Sequence, residues 1–395
     1  MKRTSILKLL FIILLMQSIQ GCNSCNKIIP NQILLNPNLD YQVYISDMAI
    51  SGTHAMVSLF LSRNDPSFLD SIFYIIQCLE YNGKNWEIIQ TIKGNCDSLF
   101  APSSVAIDKD YAVVGHPSDC SYKSKADIYV FRVDHWEYVQ DILPDDTSEM
   151  NYRRYGSDVD INGDYVVVSN PTLDKNTPNL FAYIFKRTNY EWNQVAKITT
   201  DKSILDEFGQ KVQIGKNICL VSSRWRKSPD DPIVSRRIHV FYAETDNDWK
   251  EIQTLDSDTS KNGYYFANSF DYDEPNLVVS SSNYFSVYGN NKGGNLYFYN
   301  LVKGKKFALN TIIKRDTIGT TAISESRAIT FSNNKAYTYA YESGSFQTEN
   351  SYPVSNKKYL TKVVTDGNFF MYGRHADHSK GWPEKDSAFI YFQRY

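Results

Sequence analysis

The chain has 395 residues, with 42 Lys and Arg against 44 Asp and Glu for a formal net charge of −2. This slightly acidic balance excludes a basic nucleic-acid footprint, so no nucleic-acid partner is expected. Aromatic residues make up 14% of the chain, including 29 Tyr, a richness that suits β-strands and binding surfaces.

Met1–Gly21 reads as a signal peptide. Lys2, Arg3 and Lys8 form its charged start, and Leu9–Met16 is an apolar run too short to span a bilayer. Ile19-Gln20-Gly21-Cys22 resembles a bacterial lipobox, with Cys22 diacylated after cleavage, although Gln20 is a poor fit to the usual small residue. The plain alternative is an ordinary secretory signal. Residues 22–27 then form a lipidated tether, and acyl chains supply the only membrane attachment expected. Loss of Lys2, Arg3 and Lys8 takes the formal charge from −2 to −5. The location implied is the cell envelope, lipid-anchored on the periplasmic or outer-surface side.

Residues 28–395 repeat one unit. Ile28–Leu35 comes first, an extended stretch before the first inner strand and without a local partner. Then Met48, Val105, Val159, Val212, Phe270, Ala322 and Val363 occupy equivalent places at intervals of 41–58 residues. The unit is clearest over Tyr155–Thr200. Val159 and Ile161 alternate with Asp160, as in a strand. Asn162-Gly163-Asp164 is a tight turn, because Asn and Gly accept positive φ. Tyr165–Val168, Leu180–Phe185 and Trp192–Thr199 complete four antiparallel strands, the size of one propeller blade. A late aromatic marks the outer strand of the first six units: Trp86, Trp136, Trp192 and Trp249, with Phe307 and Phe346 as weaker equivalents. The last unit offers three strands before Tyr395, so Ile28–Leu35 is expected to supply its missing outer strand. That closure removes an open edge and gives seven blades, an all-β fold.

The turns between strands one and two are tight, as at Asp108-Lys109-Asp110 and Asp366-Gly367-Asn368. The connections between strands two and three are long, except for Asn333-Asn334-Lys335. Nearly all length variation therefore falls on one face, and long loops on a rigid scaffold commonly carry function. That face bears the candidate ligand-binding residues Arg224, Trp225, Arg226, His375, His378 and Trp382. Its aromatics suit a sugar-stacking platform or a protein contact, although each Trp also suits packing of its own loop. Cys78 and Cys219 read as core residues. Cys96 and Cys120 fall in connections on the same face, where a disulfide is geometrically open to an exported chain. No Cys/His spacing suits zinc, no catalytic motif occurs, and no metal or other cofactor is expected.

Tyr155-Gly156 to Val168-Ser169-Asn170-Pro171, Phe208-Gly209 to Val221, and Val113-Val114-Gly115-His116-Pro117 resemble the FG-GAP repeat of integrin-like β-propellers. Ile128-Tyr129-Val130-Phe131, Ala182-Tyr183-Ile184-Phe185 and Ile238-His239-Val240-Phe241 resemble its third strand, and Trp136, Trp192 and Trp249 its fourth. The match is good over blades two to four, moderate over one and five, and poor over six and seven. The resemblance implies the propeller and leaves the function open. Calcium is not carried over, because the turns between strands one and two are too short for an acid-rich D-x-D-x-D-G loop. The expectation is a non-enzymatic, exported, lipid-anchored propeller binding a protein or glycan through the long-loop face. Two alternatives are a propeller hydrolase or lyase acting on envelope polysaccharide or peptide, and a scaffold subunit of an envelope complex.

Overall fold

The computed structural model describes residues 31–35, 41–63, 72–93, 104–117, 124–145, 154–171, 180–200, 206–225, 235–256, 264–283, 293–316, 318–332, 335–354, 360–374 and 388–395. These residues form strands and turns, with no helix among them. Seven antiparallel sheets of four strands each are the blades of a β-propeller. Six are consecutive meanders. The seventh joins Leu360–Thr365, Phe369–Arg374 and Ala388–Arg394 to the N-terminal strand Asn31–Leu35. Asn31 to Leu35 pairs antiparallel with Phe392 to Ala388, so the expected closing strand is in place. Leu35 is fully buried there, in a core shared with Trp86 of blade one and Phe392 of blade seven, whose rings stack at 4.3 Å. The ring is thus closed by apolar burial as well as by backbone pairing.

The middle strands show why the blade forms. Val166 and Val168 face a core shared with blade two, while Val167 faces one shared with blade four. A strand sandwiched between two neighbours is buried on both sides, so its sequence is a β-branched run instead of an alternation. The inner strands do alternate. Val159 and Ile161 enter the core, and Asp158 and Asp160 line the central channel.

The outer strands repeat a second device. Trp86, Trp136 and Trp192 are buried, and a bulge follows each within the outer strand. In blades one, two and four the fourth residue after the aromatic is Gln. Gln90 accepts from the backbone N–H of Trp136 at 2.7 Å and donates to its carbonyl at 3.0 Å, clamping blade one to blade two. Gln140 does the same with Trp192, and Gln253 with Phe307. Blade three has Ala196 at that position and lacks the clamp.

Blade six corrects one reading of the repeat. Ile323 packs in the core shared with blade five, as Ile161 packs toward blade two. Thr321, not Ala322, is therefore the equivalent of Val159. Thr321 also donates its N–H to Ser269 of the preceding inner strand. The short Thr321–Ser324 strand has no large residue at that place to mark its phase.

The turns joining strands one to two, and three to four, lie on one face. Several contain two residues, such as Gly163-Asp164 between the paired Asn162 and Tyr165. Asn31 enters at this same end, since its partner Phe392 lies near Tyr395, whose N–H donates to Asn368 in the first turn of blade seven at 3.1 Å. The opposite face receives the connections between strands two and three, most of which lie outside the described residues.

Candidate functional site

The central channel is the site that the described residues define most fully. Its side chains come from alternate residues of the inner strands. On the long-loop side these are the acids Asp47 and Asp158, the bases Lys211 and Lys362, and the hydroxyl residues Ser269 and Thr320. One step deeper, blades three to five present Asp160, Gln213 and Asp271, whereas blades one, two and seven present Ala49, Ala106 and Val364. The channel is therefore polar along one wall and apolar along the other, around a cavity of about 140 Å³.

Every one of these four acids accepts a backbone N–H from the next inner strand. Asp47 accepts from Val105 at 2.9 Å, Asp158 from Val212 and Asp160 from Ile214 at 2.7 Å each, and Asp271 from Ile323 at 2.8 Å. Nearer the tight-turn face, Asp108 accepts from Gly163 at 2.6 Å and Asp273 from Glu325 at 2.5 Å. Inner strands have no fifth strand to pair with, so their channel-side N–H groups need another acceptor. Aspartate on alternate residues supplies it and staples blade one to two, two to three, three to four and five to six. Other channel side chains add to these contacts: Lys362 donates to Asp47, Gln213 donates to Asp271, and Lys211 donates to the Phe270 carbonyl at 2.6 Å.

This enclosure perturbs the charges. Burial pushes Asp160 up to about 8, with neighbouring Asp271 adding to the shift. Burial raises Asp158 to about 6, against the opposing pull of Lys211. Burial also raises Asp271. Burial opposes the Lys362 ammonium, but Asp47, Asp158 and Asp271 outweigh it and raise its pKa.

Two buried histidine networks lie toward the long-loop end of the blades. Ser223 Oγ and His239 Nε2 are 2.9 Å apart, and His239 Nδ1 lies 3.0 Å from Glu251 Oε1. The connectivity is that of a nucleophilic relay. Both Ser223 and His239 are 0% exposed, and the Phe208 ring packs edge-on against the imidazole at 5.4 Å. With Ser223 and His239 sealed from solvent, the relay joins three strands of blade four. Between blades one and two, His116 links the Tyr74 hydroxyl at 2.9 Å to Asp127 at 3.0 Å. Burial opposes the Asp127 carboxylate, but the hydrogen bond and charge of His116 outweigh it and hold it at about 2.

Of the residues singled out by sequence, Arg224 lies with its Nη1 3.6 Å from Glu207 on the adjacent inner strand. Trp225 ends that second strand, and its backbone pairs with Asp206 and Ser235. Cys22, Cys96, Cys120, Arg226, His375, His378 and Trp382 lie outside the described residues. Cys78 and Cys219 are buried free thiols, as expected of core residues. Among the described residues, no group of three or more His, Cys, Asp or Glu is arranged to hold a metal ion. Sequence reading missed the channel staples and the His116 and His239 networks. The Asp-x-Asp pairs 158/160 and 271/273 were visible signals, and only the ring closure explains them.

No protein-family description matches this chain, and no curated protein does. Among solved structures, a polysaccharide lyase and a periplasmic gluconolactonase share the fold. A polysaccharide lyase superposes with a TM-score of 0.55 at 10% identity, over 89% of this chain and 90% of that one. A periplasmic gluconolactonase from Pseudomonas aeruginosa gives 0.50 at 11% identity, over 78% and 85%. The WD40 domain of a Neurospora crassa protein gives 0.49 at 6% identity, over 91% and 97%.

Proposed function

We propose that this chain is an exported, lipid-anchored FG-GAP-type propeller that binds a protein or glycan of the cell envelope and performs no catalysis. The observation that carries this reading is the engagement of the channel acids. Asp47, Asp158, Asp160 and Asp271 all hold backbone N–H groups of the next blade, so the acids that a channel enzyme would use serve the scaffold. Recognition then falls to the long-loop face, with Arg224, Trp225, Arg226, His375, His378 and Trp382 as its contact residues. Cys22 supplies the anchor. The test is a screen of the mature protein against a glycan array and envelope extracts, beside a Trp225→Ala, Trp382→Ala variant. A ligand bound by the parent and lost in the variant supports the reading. A ligand retained by the variant places the contact elsewhere and favours the scaffold role.

One observation favours a second reading, a channel hydrolase or lyase. Asp160 is held up to about 8 beside Asp271, so it keeps a proton at neutral pH as a general acid must. Turnover of an envelope polymer abolished by Asp160→Asn, with the fold intact, would establish that reading instead.

A further inference from the structure

We propose that the tight-turn face docks on the lipid surface carrying the anchor, with Val133 and Tyr190 entering the bilayer interface. The inference rests on the anchored reading of Cys22 for its orientation and on independent geometry for its contact. Val133 is 97% exposed and Tyr190 83%, at the tips of the turns between strands three and four in adjacent blades. Both residues adopt left-handed backbone, with φ of 58° and 71°. Val133 sits at the centre of a γ-turn, closed by the N–H of Asp134 donating to the Arg132 carbonyl at 2.7 Å. In the corresponding turns of blades five and six, left-handed backbone falls on Lys303 and Ser343 as well as on Gly304 and Gly344; Val133 takes the place of Ser343 and Tyr190 that of Gly344. A β-branched or aromatic residue in such a place is disfavoured by the fold, and full exposure gives it no packing in return.

Chain polarity brings a membrane to this face. Asn31 enters the propeller at the tight-turn end, paired with Phe392, so the preceding tether is delivered there. The nine residues from Cys22 to Pro30 reach at most about 30 Å when fully extended. Val302 and Tyr341, 46% and 37% exposed beside the corresponding turns of blades five and six, extend the apolar contact across the face. Tyrosine and aliphatic side chains at turn tips suit the headgroup boundary, where an apolar body is buried and a hydroxyl stays wet. The long-loop face then points away from the membrane, free to meet its ligand.

The test uses the mature chain and vesicles of phosphatidylethanolamine and phosphatidylglycerol. With Cys22→Ala to remove acylation, the chain should still sediment with vesicles. Adding Val133→Gly and Tyr190→Gly should weaken that partition about tenfold or more, because two interfacial side chains are removed. Glycine fits both backbone positions, so the fold is kept. In proteoliposomes of the acylated protein, hydrogen exchange should slow at residues 132–135 and 188–191 and not at 142–145. Unchanged partition of the double glycine variant, or protection at 142–145 in place of the turns, overturns the proposal. The mass of the N-terminal peptide reports acylation separately. An unacylated chain that docks through the two tips refutes the anchor alone. An acylated chain with unprotected turns refutes the docking alone.

Discussion

The central channel and the tight-turn tips treat unusual residues in opposite ways. In the channel, aspartates and lysines are enclosed, which is unfavourable in isolation, yet each acid answers a backbone N–H that the blade geometry leaves unpaired. At the tips of blades two and three, Val133 and Tyr190 sit in left-handed backbone with their side chains exposed. The first anomaly is explained by the fold. The tight turn sets the second in left-handed backbone, as it sets Asn189 and Ser343, and the docking proposal rests on the choice of an exposed valine and tyrosine there. Buried charge alone is a poor guide to a site in this propeller, because the scaffold itself accounts for it.

The contrast is broken most severely where a channel staple meets a close backbone approach. Gly156 has φ +82°, and a Cβ there would lie 2.7 Å from the Lys125 carbonyl and 2.9 Å from the His116 nitrogen. Its carbonyl accepts from Ser104 Oγ at 3.0 Å, tying blade two to blade three. Gly156→Ala forces backbone apart at that junction and should destabilise the fold by about 3 kcal/mol or more. Urea denaturation measures it. A loss below about 1 kcal/mol would mean that the junction relaxes freely and that the staples hold little.

The channel acids give a smaller, pH-dependent effect. Asp160 is raised to about 8 and Asp158 to about 6, above the ordinary carboxylate value near ~4. The folded chain thus binds these protons more tightly than the unfolded chain does. Their contribution to stability falls as pH rises from about 4 to 8 and is level above that. Asp127, held at about 2, acts with the opposite sign: its contribution is present above about 4 and lost as pH falls toward 2. Thermal unfolding should therefore show a higher midpoint at pH 6 than at pH 8, by about 2–3 kcal/mol of stability. Asp160→Asn keeps an acceptor for Ile214 and should flatten the alkaline limb. An unchanged slope in that variant would assign the titration elsewhere.

The fold was legible because each blade repeats its chemistry. Val166, Val167 and Val168 announced a buried strand, and the three-stranded C-terminal unit announced its missing partner in Ile28–Leu35, of which Asn31–Leu35 is paired and residues 28–30 lie outside the described residues. The phase of blade six was not legible, because Thr321, Ala322 and Ile323 offer no large residue at the decisive place. The channel staples escaped for another reason. An aspartate in an inner strand acquires its donor only from a strand more than 50 residues away, and the donor is a backbone group with no sequence signal. The tips at Val133 and Tyr190 escaped because their oddity lies in φ and exposure, not in residue type. Turn sequences Val133-Asp134 and Asn189-Tyr190 look ordinary until the backbone is seen.

The smallest effect sharpens the comparison furthest, because its sign differs from that of most substitutions. Val133→Gly or Tyr190→Gly removes an exposed side chain and relieves left-handed backbone, a gain of about 1–2 kcal/mol. Glycine also frees the unfolded chain, which opposes folding by about 0.5–1 kcal/mol. The difference leaves each variant more stable than the parent by about 0.5 kcal/mol, measurable as a raised urea midpoint at unchanged slope. The same substitutions weaken association with lipid under the docking proposal. Stability and membrane partition therefore move in opposite directions at these two residues and at no channel aspartate. A loss of stability in both variants would show that the tips pack within the fold, and it would return them to the same structural account as the channel.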